Sequence, residues 1–154
     1  MQSIERKKRN LIILCCCREV LAQEGIGHVV NCASECSNHF EGEIAYTRLA
    51  LLDKPTQDLR PAFEVACKVI TWCLRNNVNV LLHCTHGDSR AASMCVAFLM
   101  REKGATLLQA WKLVRRARET TRPNHGFFAQ LVALELELYG DNTMVESDYA
   151  KATA

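Results

Sequence analysis

The residues best placed to do chemistry lie in Leu81-Leu-His-Cys-Thr-His-Gly-Asp-Ser-Arg90, where a cysteine is followed six positions later by an arginine with Gly87 between them. Asn79 to His83 is a continuous apolar run entered through Asn76-Asn77, the pattern of a buried strand, and Ala91 to Met100 is apolar nearly all round, the pattern of a buried helix. A tight loop from such a strand into such a helix turns backbone N–H groups inward, and the helix N-terminus adds its positive end. The combination traps a phosphate-sized anion. Gly87 supplies the turn, and Arg90 offers its planar fork to two phosphate oxygens, a task for which the point charge of lysine is a poor substitute. The same field favours the thiolate of Cys84, which makes it a nucleophile beneath a bound phosphate. The plain alternative is a buried structural thiol beside a surface arginine. His-Cys-x-x-Gly-x-x-Arg in a strand-to-helix setting is far more specific than a lone glycine motif and favours chemistry.

Strands alternating with helices must position this loop, which predicts an α/β layer fold. Leu11 to Leu14, Gly27 to Asn31, Tyr46 to Leu52 and Asn79 to His83 read as short strands, with the last of them central in the sheet. Phe63, Ala66, Ile70 and Cys73 recur at spacings of three and four, so Pro61 to Arg75 is an amphipathic helix with proline in its first turn. Lys103-Gly104 ends the buried helix. Leu107, Trp111 and Val114 mark another, and Phe127, Leu131, Leu134 and Leu138 a last one, closed by Gly140. Asp141 to Ala154 is polar without periodicity and predicts a frayed tail.

The chain has 154 residues, 49% hydrophobic and 23% charged, which fits one globular domain with a real core and excludes disorder as the main story. Its formal charge of +2 is too even for a nucleic-acid binder, and Glu5 to Asn10 reads as a solvated terminus. The runs Leu11 to Cys17 and Ala91 to Met100 fall short of the about twenty residues of a membrane span. The nine cysteines are odd in number and lack zinc spacing, so they read as reduced thiols, with Cys67, Cys73 and Cys95 on apolar helix faces. The chain is expected to be cytoplasmic or nuclear, and monomeric.

His83-Cys-Thr-His-Gly-Asp-Ser-Arg90 resembles the signature loop of the cysteine-dependent protein phosphatases, in the dual-specificity branch that acts on phosphotyrosine and phosphoserine/threonine. Arg122-Pro-Asn-His-Gly-Phe-Phe-Ala-Gln-Leu131 is similar to the Pro-Asn-x-Gly-Phe-x-x-Gln-Leu segment that follows it there. Gly25 to Asn31 and Tyr46 to Asp53 also resemble that branch, so the likeness covers roughly residues 11 to 139. It implies a catalytic domain over 1–140 with a tail over 141–154, and a mostly parallel, twisted central sheet of four to five strands flanked by helices.

The resemblance also implies covalent catalysis without metal or cofactor. Cys84 attacks phosphorus, the loop of Thr85, His86, Gly87, Asp88, Ser89 and Arg90 binds the phosphate, and an acid protonates the leaving oxygen. Asp53, in Leu52-Asp-Lys-Pro-Thr-Gln-Asp-Leu59, matches the family's general acid; Asp58 is the runner-up, with a helix N-terminal carboxylate as its plainer role. His83 is expected to order the loop. The family usually has Ser or Thr after the arginine, whose hydroxyl helps sulfur leave, and here Ala91 stands in that place. Asp88 is acidic where phosphoinositide-directed relatives are basic. Arg115, Arg116, Arg118 and Arg122 crowd the approach, and Arg118 is the best candidate among them to face a second phosphate, against the plainer reading of a solvated helix face. Cys32 falls one residue out of register with the resolving cysteine of some relatives, which predicts that it faces away from Cys84. The expected substrate is a phosphoprotein. The alternatives are a weakly active phosphate-recognition scaffold, for which Ala91 is the motive, and a phosphatase of non-protein phosphate esters.

Overall fold

The computed structural model of the chain describes residues 17–153, so the strand expected over Leu11 to Leu14 and the basic stretch from Glu5 to Asn10 lie outside the described residues. A short helix α1 (Arg18–Gln23) precedes β1 (Ile26–Ala33), which is followed by β2 (Ala45–Leu51), α2 (Arg60–Arg75), β3 (Asn79–His83), α3 (Arg90–Lys103), α4 (Leu107–Ala117), α5 (His125–Tyr139) and α6 (Glu146–Thr153). The described strands form one parallel sheet in the order β2-β1-β3. β1 is the middle one of the described strands. The apolar run of β3 reports burial of both faces and says nothing about pairing along its edges.

Successive residues point to opposite faces of the sheet. Val30 and Leu82 enter the large cluster under α2 and α3, while Val29 and Leu81 meet Leu21 of α1 and Ile26 in a smaller one. α3 is the most buried helix, with Met94, Cys95, Val96 and Ala97 inaccessible, and Gly104 ends it in the left-handed region at φ +67°. α4 starts with a capping box, in which the Thr106 hydroxyl accepts from the Gln109 amide at 3.3 Å and the Gln109 side chain accepts from the Thr106 amide at 3.0 Å. Among the described residues no helix is long and apolar enough to cross a membrane.

The tail is not frayed. Tyr149 of α6 is buried, stacks on Phe128 with ring centroids 4.2 Å apart and meets Trp111 edge-on at 5.3 Å. Its hydroxyl donates to the carbonyl of Pro123. The fully buried Glu135 accepts from the amides of Leu107 at 2.6 Å and Thr143 at 2.8 Å and from the Thr143 hydroxyl at 2.6 Å. One carboxylate thus satisfies the first amide of α4 and anchors the tail. Two isolated apolar residues, Met144 and Tyr149, hold the segment, and isolated anchors leave no period to read.

Candidate active site

Cys84 follows β3 directly and is buried, with 4% of its surface exposed. The backbone N–H of Gly87 donates to its sulfur at 3.2 Å. Gly87 has φ +77°, which an L side chain rarely adopts, and a Cβ there would stand 3.3 Å from the Arg118 guanidinium carbon. The turn expected of this glycine is present. Arg90 opens α3 with its side chain 4% exposed, so its charge is buried and must be compensated.

Compensation comes from three directions. Nη1 donates to Oε2 of Glu35 at 2.8 Å and to the carbonyl of Leu51 at 3.0 Å, and Nη2 donates to Oε1 of Glu35 at 2.6 Å and to the Thr85 hydroxyl at 2.9 Å. Nε alone is buried without a hydrogen-bond partner. An arginine held on one edge and unsatisfied on the other is arranged for an anion. The Leu51 carbonyl reaches it because β2 ends irregularly: the pairing register with β1 shifts between Asn31 and Ala33, and Ala50 takes a left-handed φ of +49°.

Asp53 lies two residues beyond β2 and beside Arg90. Its Oδ1 accepts from the Ser89 hydroxyl at 2.8 Å and from the side-chain amide of Asn124 at 2.8 Å, and its Oδ2 stands 3.9 Å from Nε of Arg90. With Oδ1 occupied by two donors, a proton on this carboxyl belongs on Oδ2. Asn124 divides its amide between two tasks, because its oxygen also accepts from Phe127 N–H at 3.0 Å and so caps α5. Gln130, one helical turn further on, accepts from the Leu59 amide at 2.7 Å and donates to the Gln57 carbonyl at 2.8 Å, which fixes the far end of the loop bearing Asp53. Asp58 is elsewhere: it receives the Arg60 amide and side chain at 3.1 Å at the start of α2, and Arg60 holds its carboxyl below the usual carboxylate range.

Gly126 locks this loop to α5. A Cβ there would come within 2.1 Å of the Pro55 carbonyl oxygen, a contact that backbone cannot absorb without moving. Gly126→Ala is therefore expected to displace Asp53 and to lower kcat on phenyl phosphate by about 10²-fold, the scale for an ångström of misplacement, with a much smaller loss on an ester whose leaving group needs no proton. Equal kcat on both esters in that variant and its parent would show that the loop does not depend on this contact.

Of the residues expected to bind phosphate, Asp88 and His86 face partly outward and are tied to the chain beyond α4. Arg118 donates to Asp88 Oδ1 from Nε at 3.0 Å and to the His86 carbonyl at 2.5 Å, and the Thr120 hydroxyl reaches Asp88 Oδ1 at 2.7 Å. Arg118 is thus occupied in bracing the signature loop, not presented to a second phosphate. The Asp88 charge is neutralised by the same contact. Burial holds the His83 imidazole below its ordinary value, which keeps it neutral at pH 7. Ala91 is fully buried and offers no hydroxyl, while the Ser89 hydroxyl is spent on Asp53. Cys32 lies in the apolar cluster that also holds Cys84, against the expectation that it faces away, and burial pushes its thiol well above the ordinary cysteine value. Glu35 was not readable from the sequence: it sits in an unpatterned loop after β1 and meets Arg90 only in three dimensions.

Residues 12–137 match the family described as dual specificity phosphatase, catalytic domain. The chain is 34% identical over 129 residues to dual specificity protein phosphatase 18 of Mus musculus, covering 84% of this chain and 69% of that one. It is 34% identical over 134 residues to dual specificity protein phosphatase 14 of Homo sapiens, covering 86% and 68%. The crystal structure of human DUSP28 superposes with a TM-score of 0.79 at 29% identity, covering 86% of this chain and 95% of that chain. A mouse putative dual specificity phosphatase, solved in complex with zinc tungstate, superposes with a TM-score of 0.74 at 34% identity, covering 79% and 77%.

Proposed function

The chain belongs to the dual specificity phosphatase family, the protein tyrosine/serine/threonine phosphatases, and from that premise we propose that it works through a cysteinyl-phosphate, with Cys84 as nucleophile, Arg90 as phosphate clamp and Asp53 as acid and then base. The observation that carries the reading is the grouping around Arg90 of the Cys84 thiol, which acts electrostatically on the guanidinium, and of Asp53, whose Oδ2 stands 3.9 Å from the unpartnered Nε. The mouse relative's tungstate supports it, being a tetrahedral oxyanion of phosphate's shape.

In the first step the S–P bond forms as the ester P–O bond breaks, and the leaving oxygen takes its electron pair and the proton of Asp53. In the second, a water oxygen bonds to phosphorus, the S–P bond breaks, sulfur departs as thiolate and the water's proton passes to Asp53. Positioning and charge stabilisation do the work in a loose phosphoryl-transfer transition state, and here they fall to Arg90 and the amides of the loop from Thr85 to Ser89. Phosphotyrosine and phosphothreonine peptides are the direct test. Hydrolysis of both in excess EDTA, blocked by vanadate, is expected; activity that appears only with added metal would contradict the mechanism.

A further inference from the structure

Glu35 takes no part in the bond-making steps above, yet it makes the shortest contacts to the residue that binds the phosphate. We propose that Glu35 is a positioning residue for phosphate binding: its carboxylate grips the end-on edge of Arg90, so that the guanidinium presents its Nε edge to the anion. This deepens the reading of Arg90 as the phosphate clamp and rests on it.

A guanidinium has two edges that fit an oxyanion, one end-on through Nη1 and Nη2 and one side-on through Nε and an adjacent Nη; both Nη2 protons are already given to Glu35 and Thr85, so Nε–H is the free donor. Here the end-on edge is filled by both oxygens of Glu35, at 2.8 and 2.6 Å, and Nε is left empty. The Thr85 hydroxyl closes the arrangement by donating to Oε1 of Glu35 while it accepts from Nη2. Those hydrogen bonds, from Arg90 first and Thr85 second, hold the Glu35 carboxyl far below the usual carboxylate range, and it stays ionised throughout neutral pH.

Half-exposed ion pairs are ordinarily worth little, because two long side chains must be ordered in water. This one differs in its footing. Glu35 stands 50% exposed, but its partner is 4% exposed, and the loop that carries Glu35 is itself fixed. The side chain of the fully buried Asn31 donates to the Cys36 carbonyl at 2.9 Å and to Asn38 Oδ1 at 2.9 Å and accepts from the Ala33 amide at 3.0 Å. The Ser34 amide donates to the Leu51 carbonyl at 3.0 Å, the same carbonyl that receives Nη1 of Arg90. The ends of β1 and β2 therefore hold Arg90 jointly. The opposing effect is repulsion between the Glu35 carboxylate and a phosphate dianion, and only the sign of a substitution separates the two.

The experiment compares kcat/KM on an aryl phosphate for the parent, Glu35→Ala and Glu35→Gln, each with Arg90 and with Arg90→Lys, together with the rise in Tm produced by inorganic phosphate. Glu35→Ala is expected to lose about 10- to 100-fold in kcat/KM, the scale for losing charge-assisted hydrogen bonds, mostly through KM, and to show a smaller phosphate-induced rise in Tm. Glu35→Gln, which keeps one acceptor for the fork, recovers part of the loss. In the Arg90→Lys background Glu35→Ala changes kcat/KM less than about twofold, since no fork remains to be held. Equal losses in both backgrounds would assign Glu35 a general structural role, and a raised kcat/KM in Glu35→Ala would mean that it competes with substrate for Arg90; either overturns the proposal. A parent that hydrolyses the ester while Glu35→Ala matches it in both readouts overturns the role of Glu35 alone. A parent that neither hydrolyses the ester nor gains stability from phosphate overturns the catalytic reading itself.

Discussion

Cys84→Ser is expected to remove turnover, a loss of roughly 10⁴-fold or more, while leaving phosphate binding in place. The replacement is small. The Gly87 N–H that donates to sulfur at 3.2 Å can donate to a hydroxyl, and Arg90 is held by hydrogen bonds to Glu35, Thr85 and Leu51 that do not involve the substituted atom. What is lost is nucleophilicity, because a hydroxyl is hardly ionised where a thiol readily is. Inorganic phosphate should therefore still raise the Tm of the variant. Turnover within tenfold of the parent would remove Cys84 as the nucleophile.

Asp53→Ala is expected to lower kcat by about 10² to 10⁴ on phenyl or alkyl phosphates, the usual worth of a general acid, and by much less on an ester with a very good leaving group. The contrast between substrates is diagnostic, since a merely damaged site would lose on both. Ser89 and Asn124 position this carboxyl through Oδ1, so Asp53→Asn, which keeps an acceptor for them, should show the same contrast with little loss of stability. Asp58 has no such setting and is paired with Arg60 at the start of α2. If Asp58→Ala shows the leaving-group contrast and Asp53→Ala does not, the acid has been misassigned.

The parts of this site that the sequence revealed are those whose chemistry demands a fixed spacing. Cys84, Gly87 and Arg90 must sit within one loop, and the strand and helix on either side are long enough to show their apolar patterns. Pro123-Asn124-His125-Gly126 was legible as a segment but not as a device: nothing in its spacing says that Asn124 holds Asp53 or that Gly126 lies against Pro55. Glu35 left no signal at all, because it reaches Arg90 across 55 positions from a loop without periodicity. The order of the described strands and the docking of Tyr149 were hidden in the sequence for a related reason. Burial of a strand's faces does not report its neighbours, and a single aromatic anchor has no period.

The covalent intermediate is the centre of this account, and Ala91 makes it accessible. Where the family resemblance implies a hydroxyl that helps sulfur leave, this chain has a buried methyl group, and the nearby Ser89 hydroxyl is committed to Asp53. Breakdown of the cysteinyl-phosphate should therefore be slower than its formation. The most direct measurement mixes the enzyme rapidly with an aryl phosphate, quenches in acid at successive times, and locates phosphate on the digested protein by mass spectrometry while the released phenol is counted. The expected result is a burst of phenol of about one per enzyme, matched by phosphate on the peptide that contains Cys84 and absent in Cys84→Ser. Phosphate on another residue, or a linear release of phenol with no phosphate on Cys84 while product accumulates, would contradict it.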